Sequence, residues 1–85
     1  MDDKNVEIKK YEKEYYVIQD ISTEKFFKID VMNAGRPCFI NDIEFCEKYN
    51  SRQFAEDFLK SNYATKAFPN EFKECVVKVV KMHLE

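Results

Sequence analysis

The stretch YNSRQFAEDFLKSNY, residues 49–63, constrains this chain more than any other. Phe54, Ala55, Phe58, Leu59 and Tyr63 recur at the three- and four-residue spacing that gathers side chains on one face of a helix. Arg52, Gln53, Glu56, Asp57 and Lys60 fall on the other face. A helix this short is marginal alone in water, so its apolar face needs a flat apolar surface to lie on. Asn50 and Ser51 are both good N-cap residues. Ser51 starts the apolar face in register and predicts a helix running to Asn62 or Thr65.

The surface for that helix is read from the aromatic and β-branched segments around it. Residues 15–19, YYVIQ, fit a pleated, half-buried strand. Residues 26–31, FFKIDV, form a second, with Phe27, Ile29 and Val31 on one face and Phe26, Lys28 and Asp30 on the other. The short turn-forming segment between them, residues 20–25, predicts an antiparallel hairpin. Residues 33–37, NAGRP, hold the only glycine and are the clearest break, with Gly35 expected at positive φ. A brief strand is expected over residues 38–40. Asn41 stands three residues before Glu44, the spacing of a capping box, which predicts one helical turn over residues 42–48 with Ile43, Cys46 and Tyr49 inward. Pro69 closes the connection after the main helix.

Residues 72–84 fit two periods. Phe72, Cys75, Val76, Val79, Val80 and His83 share one helical face, but four valines within residues 76–80 favour a strand, because β-branched side chains lose rotamer freedom in a helix. Near the N-terminus residues 1–5 are expected to fray. Residues 6–11 read as a short edge strand beside a dense patch of lysine and glutamate. The expected fold is α+β: a small antiparallel sheet, made of the hairpin and the C-terminal strand, packed on one main helix.

With 85 residues the chain makes a single domain, since so short a chain cannot support two cores. Eight Phe and five Tyr supply large apolar pieces in the absence of Trp. Fourteen basic residues against sixteen acidic ones, with neither sign gathered in a block, argue against a dedicated polyanion binder. The three cysteines, Cys38, Cys46 and Cys75, are odd in number and lack CxxC spacing, which suits reduced thiols in a cytoplasm. No apolar run approaches a membrane span, so a soluble cytoplasmic protein is expected.

The segments YYVIQDISTEKFFK and DIEFCEKYNSRQFAEDFLK, followed by a valine-rich strand, resemble small uncharacterised proteins of phages and mobile elements in low-GC Gram-positive bacteria. The resemblance spans residues 15–84. It implies core positions at Phe45, Ala55, Phe58 and Leu59 and brings no functional residues with it. Where the pattern more usually has Gly in the S-T-x-K turn, this chain has Glu24. Such proteins are often accessory factors. Some of this size block host defences, including CRISPR nucleases, by binding them, so the resemblance implies an anti-defence or anti-CRISPR context.

Catalytic and metal chemistry find little to stand on. Cys38, Cys46, Cys75 and His83 are zinc-type ligands without a paired knuckle, and Cys75 and His83 lie about 26 Å apart at strand rise. No metal or cofactor is expected. Glu56 and Asp57 are adjacent on a helix and diverge by about 100°, so they do not form a facing acid–base pair. The chain reads as a non-enzyme that binds a host or phage protein, or a second copy of itself as a homodimer. Arg52, Glu56, Asp57 and Lys60 are its candidate partner-binding residues. The alternative is a small nucleic-acid-binding regulator. Residues 42–53 have some look of a helix-turn-helix, with Arg52 and Gln53 opening the recognition helix. Tyr15, Tyr16, Phe26 and Phe27 beside Lys25 and Lys28 could instead stack single-stranded bases.

Overall fold

In a computed structural model, which describes residues 11–84, four strands form one antiparallel sheet: β1 (Tyr11–Asp20), β2 (Lys25–Asp30), β3 (Arg36–Ile40) and β4 (Cys75–Leu84). Their order across the sheet is β3-β2-β1-β4. One main helix, α1 (Arg52–Leu59), and a short one, α2 (Pro69–Phe72), join the last two strands. The architecture is α+β, as the periodicities require. The expected strand over residues 6–11 lies outside the described residues apart from Tyr11, which opens β1. The strand expected from residue 15 thus begins at Tyr11 and runs through the charged patch.

The β1–β2 hairpin closes on a four-residue turn in which Asp20 organises its neighbours. The Asp20 carboxylate accepts from the Ser22 N–H (3.1 Å), the Ser22 hydroxyl (2.9 Å) and the Thr23 hydroxyl (3.2 Å). Glu24 donates its N–H to the Asp20 carbonyl at 2.7 Å, and to do so takes φ of 64°. A glycine would hold that left-handed conformation without a Cβ clash. At the β2–β3 turn Ala34 (φ 58°) and Gly35 (φ 73°) are both left-handed, as expected for Gly35.

The hairpin does not stay paired. Only Gln19↔Phe26 and Asp20↔Lys25 face each other, after which β1 and β2 part and residues 46–50 enter the fork. Glu47 donates its N–H to the Phe27 carbonyl at 2.9 Å, and its carboxylate accepts the Ile29 N–H at 3.0 Å. Tyr49 and Tyr16 exchange both backbone bonds, at 2.8 and 2.9 Å. Four of the freed ladder groups, the Tyr16 N–H and C=O, the Phe27 C=O and the Ile29 N–H, are thereby satisfied. The helical turn expected over residues 42–48 is a three-residue 3-10 turn (Ile43–Phe45) capped by Asp42, not Asn41, whose carboxylate accepts the Glu44 N–H at 2.9 Å. Residues 46–50 extend because the fork needs a ladder partner there.

Helix α1 starts where it was expected to. The Ser51 hydroxyl accepts the Phe54 N–H at 3.1 Å, an N-cap bond. The helix bends after Leu59, where the Ser61 hydroxyl donates to the Phe58 carbonyl at 2.6 Å, and continues as a wider π-type turn (Tyr63–Ala67). That extra width brings both Tyr63 and Ala64 onto the core. Pro69 opens α2 at its first turn, where no N–H is required, and α2 buries Phe72, a residue expected on the last strand.

Phe27 is the hub of the core. Its fully buried ring stacks on Phe58 at 5.1 Å and meets Phe72 edge-on at 5.1 Å, with Phe39 at 6.0 Å and Tyr63 at 6.3 Å. The Tyr63 hydroxyl donates to the Gly35 carbonyl at 2.6 Å and ties the bent helix to the far turn. Val17 and Ile18 are neighbours that point to opposite faces of β1, yet both are fully buried, so β1 is covered on both sides at this point. Val31 is a correction: β2 ends at Asp30, and Val31 is 74% exposed on a 3-10 turn.

Glu24→Gly is expected to raise unfolding stability by about 0.5–1 kcal/mol, by relieving the left-handed strain that Glu24 carries. Urea denaturation of the two proteins measures it.

Candidate functional site

The charged residues singled out in the sequence all sit on the outer side of α1. Arg52 and Glu56 approach to 3.9 Å across one turn, each about half exposed. A pair so exposed contributes little to stability. The Arg52 guanidinium also lies 5.2 Å over the Tyr16 ring, which fixes its position against β1. Gln53 donates to the Asp57 carboxylate at 2.8 Å. Lys60 is the C-cap, its backbone N–H shared between the Glu56 and Asp57 carbonyls, and its side chain is exposed. Arg52, Glu56, Asp57 and Lys60 therefore form one solvent-facing surface, whose side-chain contacts among the described residues are within α1 or, for Arg52, with Tyr16.

On the flank of that surface next to Asp57 stands an aromatic ring that periodicity assigns to the core. Ala55 is fully buried and marks the centre of the docked face, because a methyl side chain lets the helix backbone approach the sheet closely. Phe54 stands about 100° round the helix from it. The Phe54 ring is 60% exposed, next to Gln53 and Asp57 rather than against the sheet. Phe45, implied as a core position by the resemblance, is 65% exposed as well. In a three-residue 3-10 turn its neighbours Ile43 and Cys46 take the inward places. The sequence signal for Phe54 is Ala55 itself: a small residue flanked by large ones points to the line of closest approach.

The thiols lie apart from this surface. The Cys46 Sγ donates to the Ile43 carbonyl at 3.2 Å, and burial raises its pKa. Burial, with a smaller contribution from the Asp20 carboxylate, pushes Cys75 up to about 12. Cys38 is half-buried on β3. No three metal-ligating side chains converge, and no cavity opens, among the described residues.

The two nucleic-acid arrangements are not assembled as the sequence suggested. Residues 42–50 hold one 3-10 turn and an extended segment, so no first helix stands before α1. The four aromatics of the single-strand platform alternate along their strands and divide between the two sheet faces, and Phe27 is buried. No helix among the described residues is long and apolar enough to cross a membrane.

No protein-family model, curated protein or solved structure matches the chain.

Burial raises the pKa of Cys46, Tyr49, Tyr63 and Cys75 alike, and two of these shifts are large. Cys75 is raised from 9.0 to about 12, and Tyr49 from 10.0 to about 12 by burial and then by Glu47. Both are neutral in their protonated form, so the folded state holds these protons more tightly than the unfolded chain. Their contribution is complete below pH 9 and is lost as the pH rises from there towards 12. Urea midpoints measured across that range are expected to fall. At pH 8 native Cys75 should alkylate about a hundredfold more slowly than in the unfolded chain, read by peptide mass spectrometry.

Proposed function

We propose that this chain acts stoichiometrically, binding a protein partner through the outer face of α1. In this reading it is a phage-type accessory protein working in the cytoplasm of a host bacterial cell, and the partner is a component of a host defence system such as a CRISPR nuclease. One observation carries the choice of surface: Phe54, a large aromatic side chain, stands 60% exposed on α1, with Asp57 one turn on along the same side of the helix. An exposed aromatic anchor flanked by charge is the composition of an interface hot spot, where the ring supplies buried area and the charges select the partner. Arg52, Glu56, Asp57 and Lys60 supply both signs of charge, which favours a partner surface of mixed sign over a polyanion. The aromatic and charged positions also lie on a helix held by an N-cap and by stacking on Tyr16, so little ordering is required on binding.

The test is capture of partners from a nuclease-treated bacterial lysate that expresses defence proteins, followed by titration of the purified partner. A saturable complex of fixed stoichiometry supports the reading. Conversion of any substrate by substoichiometric protein contradicts it, as does recovery of nucleic acid alone that is lost as salt rises. Phe54→Ala is expected to weaken that complex by about 2 kcal/mol or more while changing unfolding stability by less than about 1 kcal/mol. Phe58→Ala, which empties the place beside Phe27, should cost about 3–5 kcal/mol of stability.

A further inference from the structure

The two edges of the sheet are treated differently. One edge is β3, only five residues long (Arg36–Ile40), and it carries Pro37, which has no N–H to offer a neighbour. Short length and proline are recognised ways of blunting an edge. The other edge is β4, ten residues long (Cys75–Leu84), with neither proline nor glycine and four valines near its centre. It has no second strand neighbour among the described residues. A long, valine-rich edge of this kind is a template for another strand.

The hydrogen-bond pattern shows which groups are on offer. Tyr16 uses its own N–H and C=O on Tyr49, so the β1 residues that bond β4 are the alternating ones, Tyr15, Val17 and Gln19. Their partners are Val80, Lys78 and Val76. The N–H and C=O groups of Val77, Val79 and Lys81 therefore point out of the sheet. Val79 is 46% exposed.

We infer that β4 pairs with β4 of a second copy of this chain, antiparallel, on a two-fold axis through Val79. A second copy brings the same ten-residue edge with a matching set of outward groups, and the charges narrow the register. Antiparallel self-pairing centred on Lys78 or Lys81 sets a lysine against its own copy, which is destabilising. Centred on Val79, each Lys78 faces Val80 of the partner, and each Lys81 faces Val77 of the partner. No like charges stand directly opposite, and Lys81 already has Glu14 opposite it in its own chain. The two lysines thus act less as a guard on the edge than as a selector of register. Overlap over nine positions gives about ten ladder hydrogen bonds, all from groups that the single chain leaves facing outward. The product is a continuous eight-stranded sheet whose ends are the two proline-bearing β3 edges. Both copies of α1 lie on the same face, because a two-fold normal to the sheet keeps its faces unchanged. This inference does not rest on the partner proposed for α1.

Sedimentation equilibrium of the full chain across the micromolar range tests it, together with amide exchange. The expected species is twice the 10.2 kDa chain mass, with protection of the Val79 amide deepening as concentration rises. Val79→Pro removes an outward N–H without touching a β1–β4 bond and is expected to weaken the dimer by about tenfold or more. Val80→Glu and Val80→Lys both place a charge opposite Tyr15 in their own chain, and across the axis they meet Lys78 of the partner with opposite signs. The Glu variant should dimerise about tenfold more tightly than the Lys variant. A monomer at every concentration overturns the inference, whether its Val79 amide exchanges freely or is protected by another part of the same chain. So does a dimer that Val79→Pro leaves intact, or one that Val80→Glu and Val80→Lys weaken equally, the result expected for an axis through Val80.

Discussion

The fold depends on what happens where β1 and β2 part. Two strands leaving a tight turn normally remain ladder partners, and each backbone N–H and C=O that loses its partner in a buried place costs free energy. Here the strands separate after two residue pairs, beside Phe27 and Tyr16. Glu47 and Tyr49 replace the missing neighbour, Glu47 with its backbone and its carboxylate and Tyr49 with its backbone alone. The consequence reaches the helix. Tyr49 is fixed to Tyr16, and α1 begins three residues later at Arg52, so the fork sets where the helix starts and which part of the sheet it crosses. Arg52 stacked on Tyr16 is a direct product of that placement.

Packing then follows from size. The fork opens room over Phe27, and the rings of Phe58, Phe72, Tyr63 and Phe39 fill it in tilted and edge-on arrangements that suit aromatic quadrupoles. A helix with Ala55 at its contact line sits close to the sheet, and one that bends at Ser61 turns a second set of residues inward. The same closeness rotates Phe54 off the core. What lies outside α1 is therefore a consequence of how tightly its inside is packed, and the surface proposed for binding is coupled to the core through one small residue.

Much of this was legible in the sequence, and the losses have physical causes. The N-cap at Ser51, the hairpin, the left-handed Gly35 and the strand character of the valine-rich segment rest on local chemistry, and local chemistry is what a sequence displays. The extended segment at Glu47 and Tyr49 was missed because its bonds go to Phe27, Ile29 and Tyr16, far away along the chain. Read locally, the same residues fit a capped helical turn. Phe54 and Val31 were placed inward because a period gives the direction of an apolar face but not its centre or its end, and Phe45 because the resemblance implied a core position there. Among the candidate site residues, Arg52, Glu56, Asp57 and Lys60 were correctly read as solvent-facing. The aromatic ring beside them was hidden by its own hydrophobicity.

The most direct test of this account is amide hydrogen exchange at the fork, in the wild-type chain and in Glu47→Ala. The Tyr16, Tyr49, Glu47 and Ile29 amides should exchange only through global unfolding in the wild type, with the slowness of sheet amides. In Glu47→Ala the Ile29 amide alone should lose most of that protection while Tyr16 and Tyr49 keep theirs. If Tyr16 and Tyr49 exchange at the rate of an open loop in the wild type, residues 46–50 do not fill the fork, and the placement of α1 needs another cause.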